Sequence, residues 1–288
     1  MRKEEFIKKV EEFCLSCKTN YVSEEDAIYP SLIGMRLYDL PLIGFASSDD
    51  PLFTETFKKE EVIHPLYKAP KEWLSDSITV ISFFFPTSKQ VKESNKKLLD
   101  EPYEEGIEMS CSAEWLLARC EGQLFINEVV SYAASLLNQC DYKNVIPSAS
   151  KDFKMLEPFK SNWSERHAAY AAGLGTFGLS RGLITKKGMA GRIGSLITNA
   201  YFEPTVREYS NPFEYCIKCG ACQRRCPGQA IDLARGLALG KDHIKCVGHI
   251  SNSTKKPFGV NNRVRYGCGK CQVAVPCADG IPSKLNKK

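Results

Sequence analysis

Apolar residues recur at helical spacing from the start of the chain. In EEFIKKVEEFCLSCK, residues Phe6, Ile7, Val10, Phe13, Cys14 and Cys17 share one stripe, which predicts an amphipathic helix. Cys14 and Cys17 form a C-x-x-C pair, but on that stripe they read as small buried hydrophobes rather than ligands. The runs at 40–45 (LPLIGF) and 77–85 (SITVISFFF) predict strands, and the second is too apolar to face water. Ser47, Ser48, Asp49 and Asp50 follow the first strand, where they suit a plain turn or the rim of a site. Residues 88–108 are polar and predict a surface excursion. A broadly apolar stretch from about Ser112 to Asn138 predicts one long buried helix, with Cys120 packed inside it and Cys111 and Cys140 as structural residues at its ends.

Beyond it, Ser164 is placed to cap a short helix running to Ala172, which Gly173 ends. Short strands are expected at 183–185 and 193–198, a short helix within 228–240, and a polar loop over 251–265. Strands mixed with helices make this an α/β chain. No internal repeat is visible.

Composition changes this picture at two points. The N-terminus MRKEEFIKKVEEF is charged throughout, and the most apolar run is far too short to span a bilayer, so the expectation is a cytoplasmic protein with no membrane partner. Thirteen cysteines in such a chain argue for metal rather than disulfides, and eight of them fall between 216 and 277. Residues 205–288 also carry 15 Lys or Arg against 5 Asp or Glu, a net +10, which leaves −5 for the rest of a chain of net charge +5. A basic end suits nucleic acid, an acidic partner protein such as an electron donor, or compensation of anionic iron–sulfur clusters, and the last two are favoured.

EYCIKCGACQRRCPGQAI holds Cys216, Cys219, Cys222 and Cys226 as C-x2-C-x2-C-x3-C-P, the bacterial ferredoxin run. Zinc ribbons instead offer two separated pairs. In two-cluster proteins the cysteine before proline reaches the other cluster, so Cys226 needs one group of partners and the first three cysteines need a fourth ligand. Cys246, Cys268, Cys271 and Cys277 complete the count for two [4Fe–4S] clusters. The expected division is Cys216, Cys219, Cys222 and Cys277 for one, and Cys226, Cys246, Cys268 and Cys271 for the other. Such a relay delivers single electrons to a site elsewhere in the chain.

Between Gly173 and Gly194 lie seven glycines, at 173, 175, 178, 182, 188, 191 and 194. They suit either close packing with tight turns or the approach of backbone to something broad. The belt is neither a dinucleotide fingerprint, since AAGLGTFG follows a helix, nor a P-loop. ERHAAYAAGLGTFGLSRGLIT, KGMAGRIGSLIT, EYCIKCGACQRRCPGQAI and YGCGKCQ resemble, in order and spacing, the epoxyqueuosine reductase family and more distantly the corrinoid-dependent reductive dehalogenases. The likeness is specific over about 161–277.

That resemblance implies a nitroreductase-like mixed-sheet domain holding cobalamin, over 1–204, followed by a ferredoxin-like domain with two clusters, over 205–288. It assigns Gly173, Leu174, Gly175 and Thr176, then Met189, Ala190, Gly191, Gly194 and Ser195, to the corrinoid. The implied activity is a reductase that passes electrons through the clusters to cobalamin, which acts on the substrate. No D-x-H-x-x-G is present, which fits a corrinoid without a protein histidine on cobalt.

The chain also departs from the family. Phe159 stands six residues before Glu165-Arg166, where the family carries its aspartate proton donor, and phenylalanine delivers no proton. Tyr170, His167 and Glu157 are the nearby candidates. Pro276-Cys277 replaces Cys-Pro, and the sequence ends at residue 288 without a helical-repeat extension. The expectation is thus a short, divergent relative. Its alternatives are an electron-transfer protein or activator of a corrinoid enzyme that binds no corrinoid of its own, served by a flavodoxin or ferredoxin, and a tRNA-modifying reductase.

Overall fold

The strand Thr79–Pro86 is buried at every position, and the fold is built around it. The computed structural model describes residues 1–97, 111–156, 160–253, 256–258 and 262–283. Strand residues alternate faces. Ile81, Phe83 and Phe85 point into a core shared with the helices Lys3–Ser16, Ala113–Cys120 and Gly122–Asn138. Val80 and Phe84 point into a second core, with Trp163 and the helix Glu165–Ala171. Both faces are covered, and even its polar positions, Thr79 and Ser82, are buried.

Its neighbours are Leu42–Ser47 on one side and Gly191–Thr198 on the other, with Asn144–Val145 outermost. All three pairings in this sheet are antiparallel, which corrects the expected mixed sheet. Smaller antiparallel pairs are formed by Gly175–Phe177 with Leu183–Thr185, and by Lys256–Phe258 with Arg263–Arg265. Where the expected loop over 251–265 is described, it is the end of the helix His243–Ser253 and the latter strand pair.

The long helix expected over 112–138 is two helices that meet at Glu121. Glu121 itself keeps a right-handed helical backbone, and its Oε1 accepts from Nε of fully buried Arg265 at 2.8 Å. Gly122 follows, its backbone against the Tyr38 ring. Ser164 precedes its helix without capping it, because its hydroxyl is engaged with His167 Nδ1 at 2.8 Å. The turn after the first strand is structural: Asp50 accepts from Leu52 N and pairs with Arg207, while Asp49 pairs with Lys71.

The cysteine-rich segment is tied to the first 204 residues at several points. Thr205 exchanges hydrogen bonds with Phe45 of the edge strand. Asn95 Nδ2 donates to the Cys268 carbonyl at 2.9 Å, and buried Lys270 donates to Asn95 O and Oδ1, each at 3.1 Å. Burial lowers the Lys270 pKa to about 8. Among the described residues no helix is long and apolar enough to cross a membrane.

Candidate functional site

The two cysteine motifs turn in the same way. Each passes through a left-handed glycine, Gly220 at φ 69° and Gly269 at φ 67°, into a short helical turn, Ala221–Arg224 or Lys270–Gln272. Glycine reaches that conformation at no steric cost. At Gly269 the packing adds a second reason, because a Cβ there would lie 2.1 Å from the Trp115 indole. Cys111 Sγ, buried beside this turn, donates to the Gly267 carbonyl at 3.3 Å.

Cys216, Cys219, Cys222 and Cys277 all line one small cavity. The segment carrying Cys277 is pinned by Met189 N, which donates to Cys277 O at 3.0 Å. Gly188 allows this approach: at φ 86°, a Cβ there would strike the Ala278 carbonyl at 2.0 Å. Thr176 Oγ1 accepts from Tyr215 N and so anchors the entry to Cys216. Burial pushes the Cys222 and Cys277 thiols up to about 12, with Cys216 and Cys219 adding to the effect in both.

Cys226, Cys246, Cys268 and Cys271 come together on the wall of a second, much larger cavity of about 960 Å³. Burial, then the neighbouring Cys271, Cys226 and Cys246, raise the Cys268 thiol to about 12. Cys222 also feels Cys271, so the two quartets adjoin through that pair. Lys241 lies against the second quartet; burial opposes its charge, but Cys271, Cys246 and Cys226 hold its pKa above the usual value. Among the described residues no three His, Cys, Asp or Glu side chains are gathered as a site for a single metal ion.

The remaining wall of the large cavity comes from the sheet and its helices. Met189, Gly191 and Gly194 line it, together with Gly182 and Gly269. Ala190 sits beside them inside the sheet, its carbonyl accepting from Thr87 N at 2.9 Å. Gly173, Leu174, Gly175 and Thr176 do not contribute to the wall. Gly173 packs on Thr205 and Gly175 on the Ile184 carbonyl, while Leu174 covers Gly44 of the edge strand. Of the seven belt glycines, Gly182, Gly191 and Gly194 line the cavity, and the other four do not.

The acid–base candidates divide similarly. His167 lies between Phe57 and Phe177, with ring centroids 5.0 Å away on each side. Burial, then Arg166 and Arg181, lower its pKa to about 3, so it stays neutral. Tyr170 stacks on Tyr209 at 5.1 Å, and burial raises its pKa. Neither residue lines the cavity. Glu157, like Phe159, lies outside the described residues.

The carboxyl that does line the cavity is Glu165. Its Oε2 accepts from Ser195 Oγ at 2.5 Å, and Ser195 Oγ in turn accepts from Trp163 Nε1 at 2.9 Å. Its Oε1 has no hydrogen-bond partner. Burial raises its pKa to about 7, against the opposing pull of the nearby Ser195, Ser148 and Trp163 side chains. A carboxyl tuned to neutrality with one oxygen unengaged is equipped to exchange a proton. Sequence reasoning passed over it as part of the Glu-Arg landmark; the available signal was a glutamate opening a short helix beside a glycine belt.

No family model matches the sequence, and no curated protein does. Solved structures share the fold. A selenomethionine-labelled epoxyqueuosine reductase superposes with a TM-score of 0.52 at 17% identity, over 98% of this chain and 68% of that one. Epoxyqueuosine reductase from Streptococcus thermophilus gives 0.51 at 18% identity, over 99% and 69%. A catabolic reductive dehalogenase gives 0.52 at 13% identity, over 84% of this chain and 30% of its own. The resemblance read from the cysteine and glycine motifs is thus matched by a shared fold.

Proposed function

We propose that the protein is an iron–sulfur reductase whose reaction site is the large cavity. The observation that carries this reading is that one wall holds Cys226, Cys246, Cys268 and Cys271 while another holds Glu165, so an electron source and a proton source open onto the same space. Its fold neighbours are reductases by name.

The donor set suits two [4Fe–4S] clusters. Thiolates at the corners of a cubane stand further apart than ligands of a single ion, in keeping with quartets that surround a cavity instead of converging on a point. When bound, the clusters carry single electrons, and the adjoining Cys222 and Cys271 make the junction between them. Lys241 places a positive charge against the inner quartet, where it offsets the charge of a thiolate-bound cluster.

A corrinoid also fits. The cavity lies at the upper end of the range for bound small molecules, and Gly182, Gly191, Gly194 and Gly269 are among its lining residues. Met189, Gly191 and Gly194 would hold the ring, which supplies low-valent cobalt chemistry when bound. The chain's own part is to exclude water and to hold a proton on Glu165 Oε1, with Ser195 fixing the other oxygen. The basic C-terminal end suits an acidic electron donor such as a flavodoxin or ferredoxin.

Anaerobic purification with iron, sulfide and cobalt quantified together tests this reading. About eight irons per chain with stoichiometric corrinoid, after growth with cobalamin, is the expected result. About eight irons with no corrinoid under any loading condition would instead indicate an electron-transfer protein, and no iron would end both readings.

A further inference from the structure

Four arginines of this protein are held by carboxylates. Arg265 takes Glu121, Arg207 takes Asp50, Arg263 takes Asp26 and Glu25, and Arg36 takes Asp39. Arg119 and Arg192 line the large cavity, as do Arg166, which donates to the Arg181 carbonyl at 2.8 Å, and Arg181, which lies over Phe177 and Phe213. Among the described residues neither Arg119 nor Arg192 has a carboxylate, although Glu121 lies two residues from Arg119 and is given to Arg265. Arg192 donates to the neutral Gln123 Oε1, and Gln123 Nε2 passes on to Asn127 Oδ1 at 2.9 Å. Arg119 lies over the Tyr266 ring, 4.9 Å from its centroid, a contact that offsets some desolvation but cancels no charge. Burial, then the nearby charge of Arg192, lower the Arg119 pKa. Two like charges held together and partly desolvated oppose folding unless something neutralises them.

We infer that Arg119 and Arg192 form a clamp for an oxyanionic group, a carboxylate or phosphate, on a ligand that enters the large cavity. Guanidinium forks match both oxyanions with paired N–H donors, and Gln123 fixes the orientation of one fork. This inference rests on the cavity being the reaction site, but its test reads binding and melting rather than reduction, so the two fail separately.

Anaerobically purified protein is melted with inorganic phosphate, with benzoate, and with chloride at matched ionic strength. Arg119→Gln and Arg192→Gln are treated alike, with visible absorbance and near-UV circular dichroism confirming the fold. The expected result is saturable stabilisation of the wild type by at least one oxyanion beyond chloride, weakened at least tenfold in apparent affinity in either variant. Without oxyanion, both variants should melt at or above the wild-type temperature, because the repulsion is gone. Repeating the phosphate arm with cobalamin bound separates the sources: loss of the shift assigns the clamp to the corrinoid's own phosphodiester, and persistence assigns it to a substrate. No stabilisation beyond chloride overturns the inference, as does a variant that melts well below wild type without oxyanion, since that is the mark of a structural pair.

Discussion

Glu165 is where the chemistry of a single residue diverges most from its sequence. A glutamate opening a helix ordinarily sits ionised in water, but here burial raises its pKa from 4.5 to about 7. The folded chain therefore holds this proton more tightly than the unfolded chain. The stability linked to it is fully present below about pH 4.5 and is lost as pH rises through about 7. Glu165→Gln keeps an acceptor for Ser195 and removes the ionisation. The variant should melt above wild type near pH 8, with that advantage shrinking towards zero near pH 5. An equal difference at both pH values would mean that the carboxyl titrates as if exposed. On activity the sign is the same: as a proton donor, Glu165 works below about pH 7, so turnover should fall above it. Glu165→Gln should remove that limb and lower turnover roughly 100-fold or more. His167→Gln, by contrast, alters an aromatic cage outside the cavity and should leave the pH profile unchanged.

Among the elements, the break at Glu121 and the turn at Gly269 carry the most consequence. Glu121 and Arg265 are buried together, so Arg265→Met leaves a carboxylate without its cation. We expect a loss of about 3–5 kcal/mol in denaturant unfolding, with Arg265→Met combined with Glu121→Gln costing clearly less than the two single changes added together. Additive losses would show that the ion pair does not hold the two helices and the hairpin together. At Gly269, alanine meets both a left-handed backbone and the Trp115 ring. Gly269→Ala should displace Cys268 and Cys271, and the iron content measured per chain should drop to about half, the other quartet being untouched. Retention of full iron would show that Trp115 yields.

For the whole molecule, what could be read in advance follows the range of the interactions involved. The strand at 79–86 was legible because an unbroken apolar run has few alternatives to burial on both faces. The ferredoxin run at 216–226 was legible because its spacing is local to eleven residues. The ion pair at the helix junction was not, since the partner of Glu121 is an arginine 144 residues away. Nor was the division of the glycine belt, because Gly175, packed on the Ile184 carbonyl, and Gly191, packed on Phe84 at the cavity wall, look alike in sequence. The role of Glu165 was hidden for a related reason: a pKa belongs to an environment, and Trp163, Ser195 and the cavity create that environment only once the sheet is assembled. The Arg119–Arg192 pair is of the same kind, being two ordinary arginines until the fold places them together without an acid.

These features converge on one claim, that electrons from the cysteine quartets and a proton from Glu165 meet at a corrinoid held in the large cavity. The most direct measurement is an anaerobic titration of the chemically reduced protein with cobalamin, following the iron–sulfur and corrinoid absorbances together. The account predicts saturable binding of one corrinoid per chain, with the corrinoid reduced as the clusters are oxidised, and loss of that exchange in Cys226→Ser or Cys271→Ser. Cobalamin that neither binds at micromolar concentration nor draws electrons from a fully loaded protein would contradict it.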